Sequence, residues 1–129
     1  MTVKFSASPK KDPRNLEADP KYYAMVKSDG RADTQSVASS INSMSTVSAP
    51  DTAAVLEAFL HVVPEKLADG KIVELGDFGT FRVTVSSEGA ALPEELTARN
   101  IKDTKVIFTP GRRFKQVLKT IEFQKESLN

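Results

Sequence analysis

Apolar residues recur along the chain with two periods, and each change of period marks an element. Short alternating runs at "TVKF" (2–5) and "KYYAMVK" (21–27) predict two strands. Between them "SASPKKDPRNLEADP" carries Pro9, Pro13 and Pro20 and reads as a loop, ordered or floppy. "SDGR" at 28–31 signals a turn. A lone pair of strands is marginal in water, so this piece must pack on the rest of the chain or on a partner.

The period then lengthens. In "DTQSVASSINSMSTVS" (33–48), Val37, Ile41, Met44 and Val47 recur at helical spacing, with Asp33 placed to cap the start. Its serines are weak helix formers, so this helix must lean on something. The next segment, "SAPDTAAVLEAFLHVVPEKLADG" (48–70), predicts the strongest helix. Ser48 followed by Asp51 resembles a capping box, and Pro50 falls in the first turn, where a missing amide costs nothing. Leu56, Phe59, Leu60, Val63 and Leu67 mark one face, which Val55 and Val62 widen. Pro64 is expected to kink the helix or end its regular part, and Gly70 to stop it.

Beyond residue 70, "KIVELGDFGTFRVTVSS" predicts two strands joined at "GD", and "EGAALPEELTARNIK" a polar excursion. "DTKVIFTPGRRFKQVLKTIEF" predicts a strand, then Thr109-Pro110 as cap and first turn, then a short helix. On that helix Phe114, Val117, Leu118 and Ile121 share a face, while Arg112, Arg113, Lys115 and Lys119 lie mostly elsewhere. The sum is an α+β chain. An N-terminal strand and loop extension (1–31) precedes a main domain (32–129) of two helices, a three-stranded antiparallel sheet and a short final helix. That sheet cannot cover the wide stripe of the second helix, so a dimer sharing its core is the economical solution.

Charge adds a gradient. The net charge of 129 residues is only +1, but residues 1–31 hold seven bases and four acids, and residues 32–75 two bases and six acids. From Arg99 to Lys125 there are eight bases and two acids. A dipolar distribution of this kind can hold a polyanion while the whole stays near neutral. No apolar run approaches the roughly 20 residues that cross a bilayer, and residues 1–11 lack the apolar stretch of a secretory signal. With no cysteine, the cytoplasm is the expected compartment.

Catalytic chemistry finds little foothold. The single histidine, His61, sits beside the core stripe and reads as a packed or interface residue. A zinc site would need unusual carboxylate ligation. No phosphate-binding GxxxxGK[ST], GxSxG or HExxH pattern occurs, and Glu94–Glu95 in a polar excursion define no cleft. No cofactor, metal or small-molecule substrate is expected. Tyr22 and Tyr23, with Lys21 and Lys27, could form a base-stacking platform, but strand alternation puts one tyrosine on each face, and packing of the extension is the simpler reading.

Two stretches carry a resemblance: "GDFGTF" at 76–81 and "FTPGRRFKQVL" at 108–118, in order after the long helix. With the elements around them, over about residues 33–121, the chain resembles the bacterial histone-like HU/IHF family. The N-terminal strands and "SSEG…EELTARNIK…VIFTPGR" are similar to an extended HU-like subgroup of Bacteroides-type bacteria. The resemblance implies an intertwined homodimer with β-ribbon arms, binding double-stranded DNA in the nucleoid with little sequence preference, through backbone contacts and deformability.

In that light Arg112, Arg113 and Lys115 stand in the first turns of a helix, where free amides and the dipole favour an anion. Arg99, Lys102 and Lys105 can touch the DNA backbone from the returning strand. Gly79 and Thr80 leave a backbone and a hydroxyl group accessible near a phosphate, and Gly76 and Gly79 permit tight geometry. The dimer interface is expected to use Val37, Ile41, Met44, Leu56, Phe59, Leu60, Val63, Phe78 and Phe81. The chain departs from the family pattern at Asp77, which replaces a glycine, and in its arm. Residues 84–98 hold no Lys or Arg but carry Glu88, Glu94 and Glu95, and Pro93 precedes two acids. Weaker and less bending DNA binding is therefore expected. The alternative is an HU-fold dimer that serves as a protein-interaction or structural module.

Overall fold

The computed structural model describes residues 1–126, which form two compact units. One comprises residues 1–33 together with those from Val117 onward; the other runs from Thr34 to Gln116.

In the first unit, β1 (Thr2–Lys10) pairs antiparallel with β2 (Lys21–Lys27), from Lys4↔Lys27 to Lys10↔Lys21. On its other side β1 takes a parallel strand, β6 (Glu122–Lys125), from Thr2↔Glu122 to Phe5↔Lys125. The sheet order is β2-β1-β6. Because β6 reaches only to Phe5, Pro9 lies where that side of β1 needs no ladder bond. Strand β6 departs from the sequence reading, which ran "KTIEF" on as helix and put Ile121 on its apolar face. The final helix ends at Leu118, and Ile121 precedes the strand.

The second unit begins immediately after Asp33 with α1 (Thr34–Ser43). Helix α2 (Ala49–Ala68) follows. Ser48 accepts a bond from the Asp51 amide at 3.3 Å, which satisfies one of the free donors of the first turn. Pro64 does not end α2, which continues for another turn. Its ring deprives the Leu60 carbonyl of a partner but is tolerated on an exposed side. The stop comes at Gly70, with φ of 84°. Its amide donates to the Leu67 carbonyl and that of Lys71 to the Lys66 carbonyl, the paired bonds of a Schellman motif.

The sheet of this unit is antiparallel, in the order β3-β4-β5. A short β3 (Val73–Glu74) turns through a single 3-10 turn at Gly76–Phe78 into β4 (Gly79–Ser87). Strand β5 (Ile101–Pro110) pairs with β4 from Gly79↔Pro110 to Ser87↔Ile101, with a bulge beside Ser86 and Ser87. Helix α3 (Arg112–Leu118) follows Gly111, so β5 persists through Thr109 and Pro110, where the sequence suggested a cap and first turn.

Few side chains are enclosed. Among the described residues only Thr52, Leu67 and Gly79 are buried. Of the positions expected at a dimer interface, Val37, Ile41, Met44, Phe59, Leu60 and Phe78 are exposed in the single chain, Met44 at 82%, and Leu56, Val63 and Phe81 are half-buried. An apolar cavity of about 250 Å³ opens between the two helices, lined by Ile41, Val47, Val55, Leu56 and Phe59 among others.

Candidate nucleic-acid interface

The two sequence stretches that carry the resemblance meet at one corner of the β3-β4-β5 sheet. Gly76, at φ of 59°, lets the chain reverse, and the Leu75 amide closes the turn on the Gly79 carbonyl at 2.9 Å. The Phe78 carbonyl then accepts a bond from the Gly111 amide at 2.9 Å, tying this turn to the junction of β5 and α3. Gly111 needs its missing side chain, because a Cβ there would fall on the backbone of Asp77.

Around this junction four phenylalanines interlock. Phe78 meets Phe114 at 4.8 Å and Phe108 at 5.7 Å between ring centres; Phe108 meets Phe81 at 4.7 Å and Phe114 at 5.4 Å. Tilted and edge-on pairs of this kind contribute about 0.5–1.5 kcal/mol each beyond burial. Phe78 and Phe81 thus anchor the turn and β4 to α3 within the single chain.

The ladder sorts the remaining side chains into two faces. Phe81, Val83 and Val85 lie opposite Phe108, Val106 and Thr104 on the aromatic face. The other face carries Thr80, Arg82, Thr84 and Ser86, opposite Thr109, Ile107, Lys105 and Asp103. Arg82 and Lys105 are therefore diagonal neighbours on a hydroxyl-rich face. Arg82 was absent from the sequence-derived set. Its only sequence trace is parity: it sits one residue from Phe81 and one from Val83, so it must point away from the apolar side.

The other predicted bases fall in three places. On α3, Phe114 turns inward while Arg112, Arg113 and Lys115 are exposed. Arg99 is exposed in a single 3-10 turn, Ala98–Asn100, closed by reciprocal bonds between Thr97 and Asn100. Lys102, beside the bulge, lies 3.7 Å from the Glu88 carboxylate, so an acid of the excursion already competes for it. Gly79 is buried. A Cβ there would stand 2.6 Å from the Phe108 ring and from the Thr109 carbonyl oxygen, so close packing accounts for this glycine, while Thr80 stays half-buried on the polar face.

The excursion does not extend the hairpin as a ribbon. The Glu88 amide bonds to the Asn100 carbonyl at 2.7 Å, and Pro93–Glu95 make a further 3-10 turn. Leu96 and Ala98 return to line a cavity of about 330 Å³ with Val85 and Ile101. His61 is exposed on α2, and no cluster of potential metal ligands occurs among the described residues. No helix among them is long and apolar enough to cross a membrane.

Comparison with known proteins places this geometry. The chain is similar to a crystal structure from Bacteroides vulgatus ATCC 8482, described as a candidate bacterial DNA-binding protein, with a TM-score of 0.65 and 15% identity. The match covers 99% of this chain, which spans 50% of the Bacteroides chain. An Anabaena HU–DNA cocrystal structure matches with a TM-score of 0.52 and 19% identity, over 68% of this chain and 98% of that one. At these identities the likeness is one of fold. No curated protein matches the sequence. The HU-HIG family, described as an HU domain fused to wHTH, Ig, or Glycine-rich motif, matches residues 1–125, and the chain belongs to that family.

Proposed function

We propose that this chain is a nucleoid-associated, HU-like architectural protein that binds double-stranded DNA as a homodimer, with little sequence preference. The observation that carries the reading is the sorting of the β4–β5 hairpin. One face is aromatic and apolar; the other presents Arg82 and Lys105 among hydroxyls, with Asp103. Arg112, Arg113 and Lys115 add forked and point cations on α3, and Arg99 one more at the end of the hairpin. None of these can read a base edge without a groove-penetrating arm, so phosphate contact is the mode that fits.

Dimerisation is supported by surface area. A closed 14.1 kDa globule would expose about 6,700 Å², and two separate units of these sizes about 8,000 Å². The protomer exposes 11253 Å². The excess, with apolar Val37, Met44, Val55 and Leu60 open to water, fits a core completed by a second copy. The acidic, folded-back excursion supports weaker bending than a basic ribbon would produce.

Fluorescence anisotropy with a random-sequence duplex, at salt from low to moderate, tests this. Six phosphates neutralised per dimer give a slope of log K against log salt of about −5. Arg112→Ala/Arg113→Ala should weaken binding and flatten the slope. Absence of binding at low salt would refute the reading and favour the protein-interaction alternative, to which the acidic excursion and the Lys102–Glu88 pair lend some support.

A further inference from the structure

The β2-β1-β6 sheet has two unlike faces. Parity and register put Val3, Phe5, Ala7 and Pro9 with Tyr22, Ala24, Val26 and Phe123 on one of them, with Lys125 at its β6 edge. The opposite face carries Lys4 paired with Lys27 and Lys10 paired with Lys21, with Ser6, Ser8, Tyr23 and Met25 between. All four lysines are exposed, and among the described residues none of them is in an ion pair. Like charges set directly across a ladder destabilise a sheet. Two such pairs on one three-stranded sheet are therefore not explained by the stability of the fold.

We propose that this lysine face is a second binding surface for the phosphodiester backbone of duplex DNA, separate from the β4–β5 and α3 cations. The inference rests on the DNA-binding reading above. Six residues of strand separate the two lysine pairs, or about 20 Å, which is roughly six base-pair rises and within one duplex turn. Each pair concentrates two ammonium groups where one phosphate can meet both. Five acids lie nearby, but among the described residues none forms an ion pair with these lysines: Glu122 shares the face at the β6 edge, Asp12 and Asp19 line the cavity beyond Lys10 and Lys21, and Asp29 and Glu126 the one beside Lys4 and Lys27. Asp12 is engaged by the Arg14 amide at 2.9 Å. A single-stranded ligand fits less well. Tyr22 points to the other face, and the Lys10 ammonium lies 5.8 Å from the centre of the Tyr23 ring, occupying the surface on which a base would stack.

The test uses the full chain and a 30-base-pair duplex. Lys4→Gln/Lys10→Gln/Lys21→Gln/Lys27→Gln removes two phosphate contacts per protomer, four per dimer, and should make the salt slope shallower by about 3–4. Between 50 and 200 mM salt the unaltered protein should then lose about 100-fold more affinity than the variant. Acetylation of the unaltered protein, read by mass spectrometry, should show these four lysines protected by the duplex; this readout holds even if the variant folds poorly. An unchanged slope in a folded variant, or lysines left unprotected by the bound duplex, overturns the inference. So does protection by phosphatidylserine vesicles or by single-stranded DNA in place of the duplex. If Arg112→Ala/Arg113→Ala abolishes binding while the lysine variant binds normally, this inference falls and the proposed function stands. The converse result retains the lysine face and removes the α3 site. If the unaltered protein ignores the duplex, both fall.

Discussion

Replacing Gly79 with alanine is the sharpest test of how the two motif stretches are joined. Gly79 holds φ of 148° and ψ of −171°, a region of backbone space open to glycine almost alone. Forcing another residue to adopt it costs about 1–3 kcal/mol. The added methyl would also sit 2.6 Å from Phe108 Cε1 and 2.6 Å from the Thr109 carbonyl oxygen. A ring edge can shift, but a carbonyl held in the β4–β5 ladder cannot move without breaking its register, so overpacking adds about 1–3 kcal/mol. The total, about 2–6 kcal/mol, is a large part of the 5–15 kcal/mol typical of a domain. Urea denaturation followed by circular dichroism, at fixed protomer concentration, measures it, and a fall in Tm of about 10–20 °C should accompany it. Gly89→Ala is the control. Nothing lies within 4 Å of its virtual Cβ and its φ is not positive, so it should be neutral or stabilising by up to about 1 kcal/mol. A Gly79→Ala protein within about 0.5 kcal/mol of the unaltered one would refute the packing argument.

Other outcomes follow from the same structure. Phe114→Ala removes two ring contacts at the β5–α3 junction and should cost about 2–4 kcal/mol by the same denaturation assay. Ser48→Ala should cost about 1 kcal/mol, and Ser48→Asp should restore most of it, because only the side-chain acceptor for the Asp51 amide is at stake. Glu88→Gln should change stability by less than about 0.5 kcal/mol, since its pair with Lys102 is exposed, yet tighten duplex binding at low salt by freeing that lysine. If a second copy completes the core, Tm should rise with protomer concentration, and Val55→Glu, in the groove between α1 and α2, should abolish that dependence.

Most elements were legible because their signals are local. Ser48, Pro50 and Gly70 bracket α2 as capping chemistry requires, and "GDFGTF" announces a tight turn ahead of a strand. The misreadings share a physical origin. Thr109-Pro110 carries the local chemistry of a helix start, but pairing with Gly79 and Thr80 holds it in the sheet and delays α3 to Arg112. Strand β6 pairs in parallel with residues at the opposite end of the chain, and no neighbouring residue records that partner. Its short "EFQK" run was absorbed into the helical period before it. The candidate interface was partly legible for a similar reason. Bases on α3 stand out as a cluster, whereas Arg82 is a single cation whose direction depends on strand register. Gly79 was legible as a special position, but burial against Phe108 and Thr109 shows what it accommodates.

The parallel pairing of β1 with β6 also sets an order of events during synthesis. Residues 34–116 contain every partner of the β3-β4-β5 sheet and can consolidate as soon as they clear the ribosome. The β1–β2 hairpin emerges first, yet its third strand follows Thr2 by about 120 residues, roughly 6–24 s of translation. Until then it is a two-stranded ribbon whose β1 edge stands unpaired, the kind of nascent segment on which chaperones act.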